Sequence, residues 1–93
     1  MNQMSLIETL SMAKAKDILH ALKEQGPLKF NDIKKIIGGD PKTASKRLKE
    51  LVQQGLIARS VQQDAWRSVI YSLTSKGEKA LVLIEQFQEL EEE

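Results

Sequence analysis

The stretch Gly38-Gly39-Asp40-Pro41 constrains the fold of this chain more than any other feature. It lies between two short segments in which apolar residues recur at helical spacing. Glycine ends helices, aspartate is a favoured N-cap, and proline is tolerated at the first position of the following helix. We therefore predict two helices joined by a tight turn, which is the pattern of a helix-turn-helix.

The second of these helices, predicted over residues 41–54, is apolar on one face and cationic on the other. Ala44, Leu48 and Leu51 share one face at about 100° per residue, and lysines lie opposite them. Lysines that only keep an amphipathic helix soluble are the alternative, which is weaker for a helix that follows this turn and precedes a hairpin. We predict that this face contacts DNA bases or phosphates through Lys42, Thr43, Ser45, Lys46 and Lys49. Arg47, nearer the apolar edge, is expected to pack its stem against the protein.

The remaining elements predict an α+β, mostly helical winged helix-turn-helix. Its three-helix core would carry a small antiparallel β wing at about 56–73 and a C-terminal dimerisation helix, all in one domain over residues 1–93. The first predicted elements are a helix over 5–25 that is weakest near Ser11, an edge strand over 28–30, and a helix capped by Asn31 that buries Ile33, Ile36 and Ile37. After the helix over 41–54, strands are predicted over 56–60 and 68–73. The last helix is predicted over about 75–91, capped by Thr74 or by Ser75 in a capping box with Glu78.

The net charge of +1 conceals a polarised chain. Residues 29–59 contain eight basic and three acidic residues, a net charge of +5, whereas residues 85–93 contain five glutamates and no basic residue. A basic segment of this kind is typical of nucleic-acid binding, although a solvated surface with an acidic end is the alternative. On the wing we predict DNA contacts from Arg59, Gln62 and Arg67, and we expect Trp66 to cover the sheet rather than to stack on a sugar.

The sequence carries no set of residues suited to catalysis or to a cofactor. It contains no cysteine and one histidine, His20, which is expected at or near the surface. It has neither a glycine-rich phosphate loop nor a plausible catalytic pair. We therefore predict no enzyme activity, no metal and no cofactor. No apolar run is long enough to span a membrane and no signal peptide is evident, so a cytoplasmic protein is expected.

The two terminal helices carry more apolar residues than one small core can bury. Ala80, Leu83, Ile84, Phe87 and Leu90 form one stripe of the last helix, with Leu81 and Val82 beside it. This surplus predicts a two-fold homodimer, and a monomer with a frayed tail is the alternative. The residues predicted to form the dimer interface are Leu6, Ile7, Leu10, Leu83, Phe87 and Leu90.

Three segments of the chain resemble the HxlR-type winged-helix regulators of the wider MarR and ArsR group. They are Gly-Pro-Leu-Lys-Phe-Asn-Asp-Ile at 26–33, the recognition helix and strand entry at 41–57, and Val-Ile-Tyr-Ser-Leu-Thr-Ser-Lys-Gly at 69–77. The resemblance implies a dimeric DNA-binding transcription regulator of bacteria or archaea. The chain departs from the family pattern in having no N-terminal cysteine, Lys29 in place of an arginine, and Ser68 where an arginine precedes the return strand.

These observations together predict a homodimeric, sequence-specific regulator of transcription that binds double-stranded DNA and acts as a repressor. Helix 41–54 would enter the major groove, and the wing would contact the minor groove or the backbone. The alternative is a winged-helix module that binds protein and not DNA. Such a module would present apolar residues on helix 41–54, where this chain presents lysines. The sequence identifies no effector ligand.

Overall fold

The computed structural model describes residues 6–11, 14–38 and 40–93, which form five helices and one three-stranded antiparallel sheet. The predicted order of elements is confirmed, and the first predicted helix corresponds to two described helices, one ending at Ser11 and the next beginning at Ala15. The elements are α1 (Leu6–Ser11), α2 (Ala15–Gln25), β1 (Leu28–Lys29), α3 (Phe30–Ile37), α4 (Pro41–Gln53), β2 (Ile57–Val61), β3 (Val69–Leu73) and α5 (Ser75–Glu91).

The core lies where α2, α3, α4 and α5 meet the sheet. Its fully buried side chains include Ile18 and Leu19 of α2, Leu48 of α4 and Leu81 of α5. The predicted apolar face of α4 is confirmed, because its alanine and two leucines, at positions 44, 48 and 51, are at most 1% exposed. With that face buried, the opposite face of α4 is left to solvent.

Helix α3 begins earlier than predicted and buries fewer residues. The prediction of Asn31 as N-cap is wrong: Lys29 holds that position, and its backbone N–H donates a 3.3 Å hydrogen bond to Asp32 Oδ2. Strand β1 runs directly into the helix, so no separate capping loop is present. Ile36 is 42% exposed and was also predicted wrongly. The inward face of this two-turn helix is formed by Ile33 and Ile37, with the half-buried Phe30 packed against the same core.

The wing is the hairpin formed by β2 and β3. The strand order is β1-β3-β2, so β3 lies in the centre, with Leu28 opposite Tyr71, Ile57 opposite Leu73 and Val61 opposite Val69. The short β1 pairs with Ile70 and Tyr71 in the middle of β3 and leads directly into α3, while the outer end of the hairpin, residues 62–68, extends beyond the ladder. This geometry confirms the predicted wing.

The connections at both ends of the wing are fixed by hydrogen bonds. Helix α4 ends where the Leu56 N–H donates to Leu51 and the Gly55 N–H to Val52, at 3.0 and 2.9 Å, with Gly55 at φ +76°. This is the pattern of a Schellman cap, which favours glycine. At the start of α5, Thr74 is the N-cap and its Oγ1 accepts a 3.0 Å hydrogen bond from the Gly77 N–H. Of the two predicted caps, Thr74 is therefore confirmed.

Helix α5 packs on α2 with a face that differs from the predicted stripe. Ala80 is 4% and Leu81 is 0% exposed, so Leu81, which was placed beside the predicted stripe, belongs to the buried face of the helix. Because Gly77 brings the first turn of α5 against the strand entry, the inward face follows Gly77, Ala80, Leu81 and Ile84. Leu83, which was predicted to share a stripe with Ala80 and Ile84, faces outward.

Candidate nucleic-acid interface

The first turn of α4 is held in place by its aspartate cap. Asp40 Oδ1 accepts a 2.8 Å hydrogen bond from the Thr43 backbone N–H, and this bond lowers the pKa of the Asp40 carboxyl. Pro41 occupies the first helical position, as predicted. The cap therefore fixes the direction in which the helix leaves the turn. All five residues predicted to contact DNA on this helix are exposed: Lys42, Thr43, Ser45, Lys46 and Lys49.

Arg47 does not belong to this exposed face. Its guanidinium Nη1 lies 2.9 Å from Glu50 Oε1, and the two side chains are only 19% and 14% exposed. The Arg47 charge is thus paired with Glu50 of the same helix in a half-buried ion pair. The expectation that Arg47 packs its stem against the protein is confirmed.

Ser45, Lys49 and Arg59, all predicted DNA contacts, lie around one open cleft. The cleft has a volume of about 330 Å³, runs between α4 and the wing, and is completed by Val52, Gln53 and Tyr71. The tight turn at Gly55 joins α4 to β2 and so places the helix face beside the strand. The cationic face of α4 is thereby continuous with the base of the wing.

An aspartate that the sequence analysis did not select organises the tip of the wing. Asp64 Oδ1 accepts hydrogen bonds of 3.1 Å from the backbone N–H groups of Trp66 and Ser68. The Arg67 N–H donates to the Asp64 carbonyl at 3.1 Å, and Arg67 has a positive φ of 49°. The hydrogen bond from the Ser68 backbone lowers the pKa of the Asp64 carboxyl. Aspartate commonly bonds the backbone two residues ahead in turns, and this was the available sequence signal.

The other two predicted DNA contacts on the wing, Gln62 and Arg67, differ in exposure and in hydrogen bonding within the protein. Arg67 is exposed at the tip, whereas Gln62 is half-buried. The Gln62 backbone N–H donates to the Ser68 carbonyl at 2.7 Å, and its side-chain Nε2 lies 3.4 Å from Ser60 Oγ. Of the two, Arg67 is therefore the better placed to reach a ligand.

Trp66 does not cover the sheet. Its side chain is 87% exposed at the tip of the wing, so the expectation that it packs against the protein is wrong. The turn organised by Asp64 carries the residue past the end of the β ladder, where the last paired residues are Val61 and Val69. Beyond that point the sheet offers no surface to pack against.

The outer face of α5 presents an apolar stripe. Leu83, Phe87 and Leu90 are 54%, 69% and 63% exposed, and their spacing of four and three residues puts them on one side of the helix. Five exposed glutamates continue from this helix to the end of the chain. Of the predicted dimer contacts near the N-terminus, Leu10 is half-buried against the core, and the side chains of Leu6 and Ile7 lie outside the described residues.

Among the residues that the structure describes, no group of three or more His, Asp or Glu side chains is placed to hold a metal ion. His20 is half-buried on α2, and its Nε2 lies 3.4 Å from Glu24 Oε2. No helix in the described ranges is long and apolar enough to cross a membrane.

Comparison with known proteins identifies two sequence relatives. An uncharacterized protein of Methanocaldococcus jannaschii is 39% identical over 82 residues, which cover 86% of this chain and 68% of the relative. An uncharacterized HTH-type transcriptional regulator of Halalkalibacterium halodurans is 37% identical over 73 residues, covering 77% of this chain and 65% of the relative. The chain thus spans about two thirds of the length of both.

Two solved structures share the fold closely. The reduced form of the transcriptional regulator YodB from B. subtilis has a TM-score of 0.78 and 31% identity, covering 88% of this chain and 80% of that chain. The S. aureus MepR–DNA complex has a TM-score of 0.76 and 28% identity, covering 92% of this chain and 72% of that chain.

The family model described as HxlR-like helix-turn-helix matches residues 14–93. That range contains the turn before α4, the cationic face of α4, the wing and the whole of α5. Family and fold are those of transcription regulators and not of enzymes. The chain belongs to the HxlR-like helix-turn-helix family.

Proposed function

We propose that this protein, a DNA-binding transcription regulator of the HxlR-like family, binds duplex DNA as a homodimer in the cytoplasm of a prokaryote. Helix α4 would lie in the major groove, and the wing would contact the minor groove or the backbone. The observation that carries this proposal is the exposed cationic face of α4, continuous through the cleft with Arg59 and the wing. We further propose that it acts as a repressor, because a bound dimer occludes the DNA it covers.

The charge of the exposed face supports DNA as the ligand. A duplex carries one negative charge per roughly 1.7 Å of its axis, and each lysine that neutralises a phosphate releases a counterion. The hydroxyls of Thr43 and Ser45 sit near the start of α4 and are small enough to allow close approach to base edges. The similar MepR has been solved as a complex with DNA. The proposed contacts are Lys42, Thr43, Ser45, Lys46, Lys49, Arg59, Gln62 and Arg67.

The apolar stripe on α5 supports the homodimer. Leu83, Phe87 and Leu90 are all more than half exposed, and an exposed apolar patch of this kind usually marks an interface. A second copy of the same helix supplies a matching surface in a two-fold pair. The glutamates beyond the stripe would repel DNA, so a dimer joined through α5 would place this acidic end away from the duplex.

A protein-binding module remains the second candidate function, and the distribution of apolar residues weighs against it. The residues of α4 opposite its buried face are lysines and small hydroxyl residues, all exposed. An interface for protein would be depleted of charge at its centre. Leu83, Phe87 and Leu90, which are among the most exposed apolar side chains, lie instead on α5, where the proposed homodimer uses them.

Replacing Lys42 and Lys46 with alanine should weaken duplex binding while leaving stability nearly unchanged. Both side chains are exposed, so the change in unfolding free energy should stay within about 0.5 kcal/mol. Gel-shift titration at moderate salt measures the affinity, and thermal unfolding measures the stability. The matched control removes the exposed lysines Lys23 and Lys79, on α2 and α5, so that net charge falls equally. Equal affinity of the α4 variant and this control would remove Lys42 and Lys46 from the site.

The affinity for duplex DNA should fall steeply as salt rises. Two subunits that each neutralise several phosphates should give a slope of log K against log salt on the order of −4 to −8. Fluorescence anisotropy of a labelled duplex at a series of salt concentrations gives this slope. A flat dependence would favour the protein-binding module over the proposed DNA-binding surface.

The sequence that the dimer reads can be obtained by selection from random duplexes. We expect the selected sites to have two-fold symmetry, with half-sites about one helical turn (10–10.5 base pairs) apart. Enrichment of a single, unsymmetrical half-site would contradict the homodimeric mode of reading but not DNA binding itself.

A further inference from the structure

The tip of the wing presents a large apolar side chain on a fixed backbone. Trp66 is 87% exposed. The backbone N–H groups of Trp66 and Ser68 both donate hydrogen bonds of 3.1 Å to Asp64 Oδ1. The backbone N–H of Arg67 donates a 3.1 Å hydrogen bond to the Asp64 carbonyl oxygen. These three bonds fix the backbone on both sides of the indole. The indole contributes little to the packing of this domain and, at a turn fixed by hydrogen bonds, is available to a ligand.

The surroundings of Trp66 indicate the chemistry of that ligand. The next residue is the exposed Arg67, a cation at the same tip, and Gln63 is exposed beside them. On the wing, Val61 is the other large apolar residue with substantial exposure, at 39%. The Trp66 indole and Val61, surrounded by polar and cationic groups, expose a smaller apolar area than a protein–protein interface buries. They suit a surface that alternates apolar and anionic groups over a few ångströms.

The backbone of duplex DNA is such a surface, because deoxyribose carbons alternate with phosphates along each edge of the minor groove. We propose that Trp66 packs its indole face against deoxyribose at the minor-groove edge, while Arg67 meets a phosphate or enters the groove. This inference rests on the proposed function and deepens it. The wing base carries Arg59 on the cleft it shares with Ser45 and Lys49 of α4, so helix and wing can face one duplex.

Packing of this kind has a distinctive energetic signature. The indole buries apolar area and releases no counterion, so it adds affinity without changing the salt slope. Because every nucleotide of the duplex carries a deoxyribose, the added affinity should be the same for specific and random-sequence duplexes. Arg67, in contrast, should contribute about one unit of salt slope in each subunit.

Tryptophan fluorescence tests the contact directly, since Trp66 is the only tryptophan in the sequence. A random-sequence duplex labelled at one end is added at low salt, and its anisotropy reports binding in the same sample. We expect the tryptophan emission to shift or to be quenched as anisotropy rises, and acrylamide quenching to fall. Binding with unchanged emission and unchanged acrylamide quenching would overturn the Trp66 contact and leave the proposed function standing. No binding of any duplex would overturn both.

Variants separate the sugar contact from other roles of the side chain. Trp66→Ala should weaken binding about 5- to 20-fold on random and selected duplexes alike, with the salt slope unchanged, and Trp66→Phe should retain part of the affinity. Thermal unfolding should not move, because the side chain is exposed. Arg67→Ala is the matched comparison, since it should reduce the slope. Unaltered affinity of Trp66→Ala, or a loss confined to one selected sequence, would overturn packing on deoxyribose.

Discussion

Substitution of Gly77 by alanine should destabilise the protein by about 3 kcal/mol or more, the upper part of the range for overpacked sites. A Cβ at this position would lie 2.1 Å from the Leu56 carbonyl oxygen and 2.7 Å from Leu73 Cδ1. The nearer atom belongs to the backbone and cannot move without disturbing the entry to β2. A domain of this size loses roughly 4–8 °C of melting temperature per kcal/mol, so the midpoint should fall by about 12–24 °C.

Several bonds at the same junction would be disturbed together. Thr74 Oγ1 lies 2.7 and 2.9 Å from the carbonyl oxygens of Gly55 and Leu56, while accepting from the Gly77 N–H, and the Thr74 N–H donates to Leu56 at 3.1 Å. The junction therefore joins the end of α4, the start of β2 and the start of α5. A shift of Gly77 away from Leu56 would loosen all three.

Two control variants identify the collision as the cause. Ser75→Ala changes an exposed residue in the same turn of α5 and should alter stability by no more than about 0.5 kcal/mol. Gly55→Ala introduces strain at φ +76° but no close contact, since its nearest neighbour would be Lys76 Cδ at 3.8 Å. That strain should cost about 1–2 kcal/mol. Thermal unfolding followed by circular dichroism ranks the three, and a Gly77→Ala midpoint above that of Gly55→Ala would contradict the close approach.

The elements with strong local signals could be predicted from the sequence. Asp40 and Pro41 fix the start of α4 by capping and by φ, and Gly55 fixes its end, so both bounds followed from the residues themselves. The strand predicted over residues 68–73 likewise matches β3 to within one residue. Such signals act over a few residues and do not depend on the rest of the fold.

The errors arose where tertiary packing selects among several apolar residues. Helix α5, which contains Leu81, has apolar residues on more than half of its circumference, so periodicity permits more than one buried face. In α3 the apolar residues share one narrower face, and Ile36 lies at the edge of that face. The inward face of α5 is chosen by the contact of Gly77 with Leu56, a residue 21 positions earlier in the chain. No local pattern contains that information.

In the candidate site, too, some features could be predicted from local sequence and others depend on the rest of the fold. Exposure of the lysines on α4 followed from the burial of Ala44 and Leu48, and so could be predicted. The position of Trp66 depends on how far the hairpin extends beyond its ladder, which Asp64 decides through its backbone bonds. The tendency of aspartate to bond the backbone two residues ahead indicates a turn at Asp64 but not where the Trp66 side chain lies, so packing over the sheet was the default expectation.

Replacing Phe87 and Leu90 with glutamate should convert the protein to monomers and lower its affinity for a symmetric site by about 100-fold or more. Both side chains are more than 60% exposed in the single chain, so their loss should not affect the core. In a two-fold pair the introduced carboxylates would face each other across a desolvated surface, where unpaired charges are costly. The loss of affinity follows because linked binding of two half-sites exceeds either alone by about 10²–10⁴.

Sedimentation of the wild type and the variant at tens of micromolar measures the oligomeric state, and anisotropy on the selected duplex measures the affinity. Glu85→Gln combined with Glu89→Gln is the matched control, because it changes two charges at exposed positions of the same helix on the side away from the stripe. It should remain dimeric, and circular dichroism should show both variants folded. A wild-type protein that sediments as a monomer would contradict the interface. So would a monomeric double variant that binds the symmetric site as tightly as wild type, because one recognition helix cannot reach both half-sites.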